Sequence, residues 1–262
     1  MNTMDFVDTG SGFPVLLGHS YLFDRRMWQP QVQALAQRYR VIIPDLWGHG
    51  RSPQLADGHA DLERLADDHM ALMDRLGIKR FAVAGLSVGG MWGAELAAKY
   101  PERVAALVLL DTFVGAETPE TRDGYFQMLD IVEEAGAIPP PLQERIAALF
   151  YSPRVPRLTL QRLIDRLAAL SAGTLRQSVL PLGRLIFGRP DRLERLRRIQ
   201  CPSLVMTGEQ DRPRPPSEGR LMADILGCRF VEVPDAGHIS NEENPAFVTD
   251  TLLEFLNRNL RG

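Results

Sequence analysis

Residues 81–100 read "FAVAGLSVGGMWGAELAAKY". An apolar run, Phe81 to Ala84, is the length of a buried strand, and Ala94 to Tyr100 is rich in helix formers. Between them lies Gly85-Leu86-Ser87-Val88-Gly89, a Gly-x-Ser-x-Gly turn from strand to helix. Such a turn holds its serine in a strained backbone conformation. A glycine two residues to either side lets strand and helix approach without Cβ clashes. The Ser87 hydroxyl is then expected to stand above the carboxyl edge of a sheet. The Val88 N–H, at the helix N-terminus, would point at an oxygen that becomes negative during acyl transfer.

A serine hydroxyl is a weak nucleophile at neutral pH and needs a base, which an acid orients. In a strand–elbow–helix architecture the three follow in the order serine, acid, histidine. Of the five histidines, at 19, 49, 59, 69 and 238, only His238 follows Ser87. It sits in "VPDAGHISNEENP", residues 233–245, between a strand-like run and the last helix. His49 lies in the glycine loop "DLWGHGRS", His59 precedes a helix, and His69 falls on a helix's apolar side as a core residue. For the acid, "VMTGEQD" ends a strand and places Asp211 in a loop at the same edge. Asp111, in "LVLLDTF", ends the preceding strand and is the rival. Asp235 is too near His238 in sequence to be preferred. Catalysis is therefore assigned to Ser87, Asp211 and His238.

Further out, apolar runs recur at Val15–Leu17, Arg40–Ile43, Ala105–Leu110, Ser203–Met206 and Arg229–Val233. Most are apolar on both faces, the mark of a parallel sheet covered by helices. Amphipathic helices alternate with them. "LERLADDHMALMDRLG", residues 62–77, ends at Gly77 as a C-cap. "NPAFVTDTLLEFLNRNL" opens with Asn244 as N-cap and Pro245 at the first helical position. This alternation predicts right-handed crossovers and an α/β sandwich. The rhythm stops between about 115 and 189, where prolines at 119, 139, 140, 141, 153, 156 and 181 separate helical stretches. That segment is expected to be a helical cap, 115–189, inserted between core segments 1–114 and 190–262.

Composition narrows the classes. At 262 residues and 45% hydrophobic, the chain can bury one large core. A net charge of -3 offers no basic footprint for nucleic acid, and only Lys79 and Lys99 are lysines. No apolar run approaches the roughly 20 residues of a membrane span, and no signal-peptide pattern opens the sequence. A cytoplasmic protein is expected. Cys201 and Cys228 have no metal-ligand spacing and read as buried free thiols. No metal or cofactor is implied, and the sequence is silent on oligomeric state.

In order and spacing, "PDLWGHGRS", "GLSVGG", "GEQD" and "AGHISNEENP" resemble the α/β-hydrolase superfamily over essentially the whole chain. The resemblance implies an α/β-hydrolase fold with its N-terminal hairpin shortened to "MDFVDTGSG". Relatives often read His-Gly-x where this chain has His19-Ser20-Tyr21 in "VLLGHSYLFD". By that likeness the Tyr21 N–H joins that of Val88 as second oxyanion donor, His19 packs beneath the loop, and Ser20 replaces a glycine. Serine at the elbow argues against epoxide hydrolases and haloalkane dehalogenases, which use aspartate there. "SYLFDRRMWQPQ", "GLSVGGMWG", "SEGRLMADILG" and "HISNEENP" are similar to the 3-oxoadipate enol-lactonases. The implied reaction is hydrolysis of a small carboxylic ester or lactone, in a pocket near Leu22, Leu86, Tyr125, Phe126 and Phe150. A small-molecule sensor on the same fold, or cofactor-free perhydrolysis or C–C cleavage with the same three residues, stay open as alternatives.

Overall fold

Apolar runs separated by helices assemble into one seven-stranded sheet in the computed structural model, which describes residues 3–55 and 61–260. The strands are β1 Phe6–Thr9, β2 Phe13–Gly18, β3 Tyr39–Pro44, β4 Phe81–Leu86, β5 Val104–Leu110, β6 Ser203–Gly208 and β7 Arg229–Val233. Their order is β1-β3-β2-β4-β5-β6-β7; β1 runs antiparallel to β3 and every other pair is parallel. Every residue of the central strands β4 and β5 is buried. Their apolar character on both faces follows from helices covering both sides. The six expected strands all form. The seventh strand, β1, is four residues of "FVDT" in the segment read as a shortened hairpin; it pairs with β3 at the sheet edge instead of with β2, and is too short and too polar to stand out as an apolar run.

The chain steps from β2 outward to β3, then returns past β2 to begin β4. Connections therefore diverge between β2 and β4, opening a crevice at their carboxyl ends where open α/β sheets hold ligands. Gly18 pairs with Gly85 across that line. Helix α3, Val88–Lys99, lies directly over it. A Cβ on Gly89 would sit 2.4 Å from the Gly18 carbonyl oxygen, and one on Gly85 would sit 2.2 Å from that of Gly89. Both contacts are backbone against backbone, so no side chain can yield. Glycine is required there by close approach.

Helix α1, Gln29–Ala36, follows β2, and α2, Leu62–Arg75, precedes β4. The Asp61 carboxylate caps α2 by accepting the Arg64 N–H at 2.9 Å. Gly77, at φ +69°, follows its end. The last helix, Pro245–Asn259, starts as predicted, with the Asn244 side chain accepting from the Phe247 N–H. Between β5 and β6 the regular elements are helices alone, among the described residues. They include α4 Pro119–Ala135, α5 Pro140–Phe150, α6 Arg157–Ala168 and a later helix, Leu180–Phe187. Pro119 and Pro140 occupy first helical positions, so these prolines start helices as well as separate them.

Cys201 and Cys228 are half-buried rather than buried. Each precedes its strand, at the amino edge of the sheet, where a cleft beside the last helix leaves them partly open. His59 lies outside the described residues. Among the described residues no helix is long and apolar enough to cross a membrane.

Candidate active site

Ser87 caps α3 with φ +57° and ψ −122°, a left-handed conformation that costs a non-glycine residue about 1–3 kcal/mol. Neighbours hold it there. Its N–H donates to the Leu110 carbonyl at 2.9 Å, and its own carbonyl accepts from the Gly90 N–H, the Met91 N–H and the Thr112 hydroxyl. Strain at Ser87 is thus tied to β5 and to the first turn of α3. Leu22 and Asp111, which follow the adjacent strands β2 and β5, also have positive φ, +68° and +46°.

His238 Nε2 lies 3.0 Å from Ser87 Oγ, and its Nδ1 lies 2.9 and 3.1 Å from the two carboxylate oxygens of Asp211. All three residues are nearly closed off from solvent. The His238 N–H donates to the Phe150 carbonyl at 2.8 Å, and the Phe150 ring stacks on the imidazole with centroids 5.3 Å apart. Asp211 also accepts the Arg214 N–H at 2.8 Å. An Nδ1–H held by a carboxylate leaves Nε2 as the acceptor, so the ring can take a proton from the serine hydroxyl.

Asp111 is near this set but does not touch the imidazole. One oxygen accepts the Gly208 N–H at 2.7 Å, the other the Ser240 hydroxyl at 2.5 Å. It thereby joins the end of β6, where the Asp211 loop begins, to the residue two beyond His238. Burial, then the nearby charge of Asp211, pushes its carboxyl well above the usual range.

After β2, residues 20–23 form a turn closed by the Phe23 N–H on the Ser20 carbonyl, with Leu22 at the positive-φ corner. Ser20 donates its N–H to Met27 Sδ and Leu22 donates its N–H to His49 Nε2. The Tyr21 N–H takes part in neither. Val88 is the first residue of α3, where an N–H has no intrahelical acceptor. His19 lies under the loop, donating from Nδ1 to the Ser20 carbonyl and accepting the Leu46 N–H at Nε2. His49 and Thr112 were not picked out for these contacts in the sequence, because both contacts join residues on separate strands' loops.

Burial also sets the charge of these imidazoles. It lowers His49 below its ordinary 6.5, His19 to about 3, with His49 contributing, and His69 to about 4. His69 stacks on Trp92 at 3.7 Å and bonds the Leu65 carbonyl through Nδ1. The folded state therefore excludes protons that the unfolded chain binds below pH 6.5, so stability falls as pH falls from there toward 4. At pH 5 His19 and His69 each cost about 2 kcal/mol relative to pH 8. Urea unfolding of wild type and His69→Phe at both pH values should show the variant losing about 2 kcal/mol less. Equal losses would refute a neutral, buried His69.

An apolar cavity lined by Tyr21, Leu22 and Phe150, among others, lies beside His238, on whose ring Phe150 stacks. Of the residues proposed in sequence for a substrate pocket, Leu22, Tyr125 and Phe150 line this cavity and Leu86 and Phe126 do not. Leu86 is fully buried at the end of β4, and Phe126 lies beneath the Arg184 guanidinium. Beside Tyr125 is a buried ionic group invisible in the sequence: Glu117 pairs with Arg189 at 2.7 Å and with Arg214, which also reaches Glu218. Its members stand up to about a hundred positions apart, with no local pattern to betray them. Among the described residues, no three histidine, cysteine or carboxylate side chains come together as metal ligands.

A mostly parallel sheet with an elbow serine at its switch point defines a hydrolase of the α/β class. The chain belongs to the α/β-hydrolase fold family, whose model matches residues 14–245. It is 27% identical over 241 residues to 3-oxoadipate enol-lactonase 1 of Acinetobacter baylyi, covering 88% of this chain and 84% of that one. A thermophilic esterase from Thermogutta terrifontis, malate bound, superposes with a TM-score of 0.86 at 32% identity, over 97% of this chain and 93% of the other. The enol-lactonase from Burkholderia xenovorans LB400 does so with a TM-score of 0.85 at 27% identity, over 97% and 96%.

Proposed function

We propose that the protein is a serine hydrolase of small carboxylic esters or lactones, with Ser87 as nucleophile, His238 as base and Asp211 as acid. The unbroken hydrogen-bond chain from Ser87 Oγ through His238 to Asp211 carries this reading. As Ser87 Oγ bonds to the carbonyl carbon, its proton moves to His238 Nε2, and the carbonyl oxygen takes the negative charge. The N–H groups of Tyr21 and Val88 receive that oxygen; losing one such donor costs about 3 kcal/mol in the barrier. The C–O bond to the leaving group then breaks, and His238 returns the proton to that oxygen. Water next attacks the acyl-enzyme, giving its proton to Nε2, and the carboxylic acid leaves as Ser87 recovers its hydrogen. Residues 115–189 would be the cap that covers these groups, since α4 and α5 supply one wall of the cavity beside them.

Both enol-lactonase relatives and the esterase relative have names that fit acyl transfer to water. The lactone named for the Acinetobacter protein derives from a dicarboxylic acid, and whether this chain shares it is a matter of the cavity. A fluorophosphonate tests the nucleophile directly. One equivalent should bond covalently and end activity, and tandem mass spectrometry should find the adduct on Ser87. An adduct on another residue, or none, would sink the assignment.

A further inference from the structure

We infer that the substrate's acyl chain is uncharged and apolar, and that an ester or lactone bearing a second, ionised carboxylate on that chain is excluded. This rests on the reading of Ser87 as the nucleophile, because it takes the adjoining cavity as the place of the chain. Phe150 of its lining stacks on the His238 ring, Tyr21 carries the N–H assigned to the oxyanion, and further walls come from Met128, Leu129, Val132, Leu142 and Ile146. No polar atom forms part of its open surface. The Tyr21 hydroxyl donates to the Val179 carbonyl at 2.6 Å, and the Tyr125 ring lies flat on Phe187 at 4.0 Å.

Among the described residues, no arginine, lysine or histidine lines the cavity. Arg189 and Arg214 lie outside that lining; both pair with Glu117, and Arg214 also reaches Glu218. Arg26, Arg162 and Arg166 line a separate cleft on the other side of Leu22 and Val179. Two of them face Asp24, Arg26 at 2.7 Å and Arg166 at 3.8 Å. A carboxylate on the acyl chain would lose its water and gain no partner, which is the costly way to bury a charge.

The test pairs p-nitrophenyl hexanoate with the mono-p-nitrophenyl ester of adipic acid, a chain of the same length ending in a carboxylate. Wild type should favour the hexanoate by about 100-fold or more in kcat/KM. Ser87→Ala should bind the hexanoate more tightly by a similar factor, measured by calorimetry. Met128→Arg puts a cation at a half-buried position of the cavity wall. It should narrow the preference at least about tenfold. Equal treatment of the two esters, or a preference for the adipate, overturns the inference. If Ser87→Ala hydrolyses both as fast as wild type, the nucleophile assignment fails. The ratio of dissociation constants then still decides the cavity's preference, and absence of binding by either ester overturns it.

Discussion

Ser87→Ala should lower kcat on a p-nitrophenyl ester by about 10⁶-fold while leaving substrate affinity and thermal unfolding close to wild type. The size of the effect follows from what remains. Without Oγ no acyl-enzyme forms, and His238 keeps its carboxylate partner but has no hydroxyl to deprotonate. The backbone that shapes the elbow is untouched, since the bonds from Leu110, Gly90, Met91 and Thr112 all involve main-chain atoms of residue 87. Alanine also keeps the Cβ, so the positive φ is neither relieved nor worsened. Residual turnover within a hundredfold of wild type, after purification from an inactive host background, would show that another group attacks the carbonyl.

Asp211→Asn should reduce kcat by about 10⁴-fold, whereas Asp111→Asn should stay within about tenfold of wild type. An amide at 211 can turn its NH₂ toward His238 Nδ1, which reverses the tautomer and puts the ring's hydrogen on Nε2. The ring then cannot accept from Ser87 Oγ, 3.0 Å away. Asp111 is different in kind. Burial and the neighbouring Asp211 hold its carboxyl toward the neutral form. Asparagine there can still accept the Gly208 N–H and meet Ser240. Steady-state rates of both variants across pH 6–9 separate the two carboxylates. Comparable losses in the two would mean that Asp111 shares the acid's work.

The strands that position the site were readable because they are apolar on both faces, and the last helix because Asn244 and Pro245 mark its start locally. Strand β1 escaped because four half-exposed residues carry no periodic signal. Of the residues proposed for a pocket, Leu22, Tyr125 and Phe150 line the cavity. Leu86, one residue before the serine, turns into the core, and Phe126 turns under Arg184. Adjacent helical positions differ by about 100° in direction, so Tyr125 and Phe126 cannot both face one space.

By itself the sequence determined the alternation of strand and helix, the elbow that holds Ser87, and the order in which serine, aspartate and histidine occur along the chain. These are local properties, written in hydrophobic period, in glycines that permit close approach, and in caps. Which carboxylate meets His238 Nδ1, which imidazole accepts the Leu22 N–H, and how Glu117 gathers Arg189 and Arg214 were decided only by tertiary structure. Each depends on bringing together loops that are far apart in the chain. The register and crossover of a parallel sheet place those loops along one edge, and no short window of residues records the result.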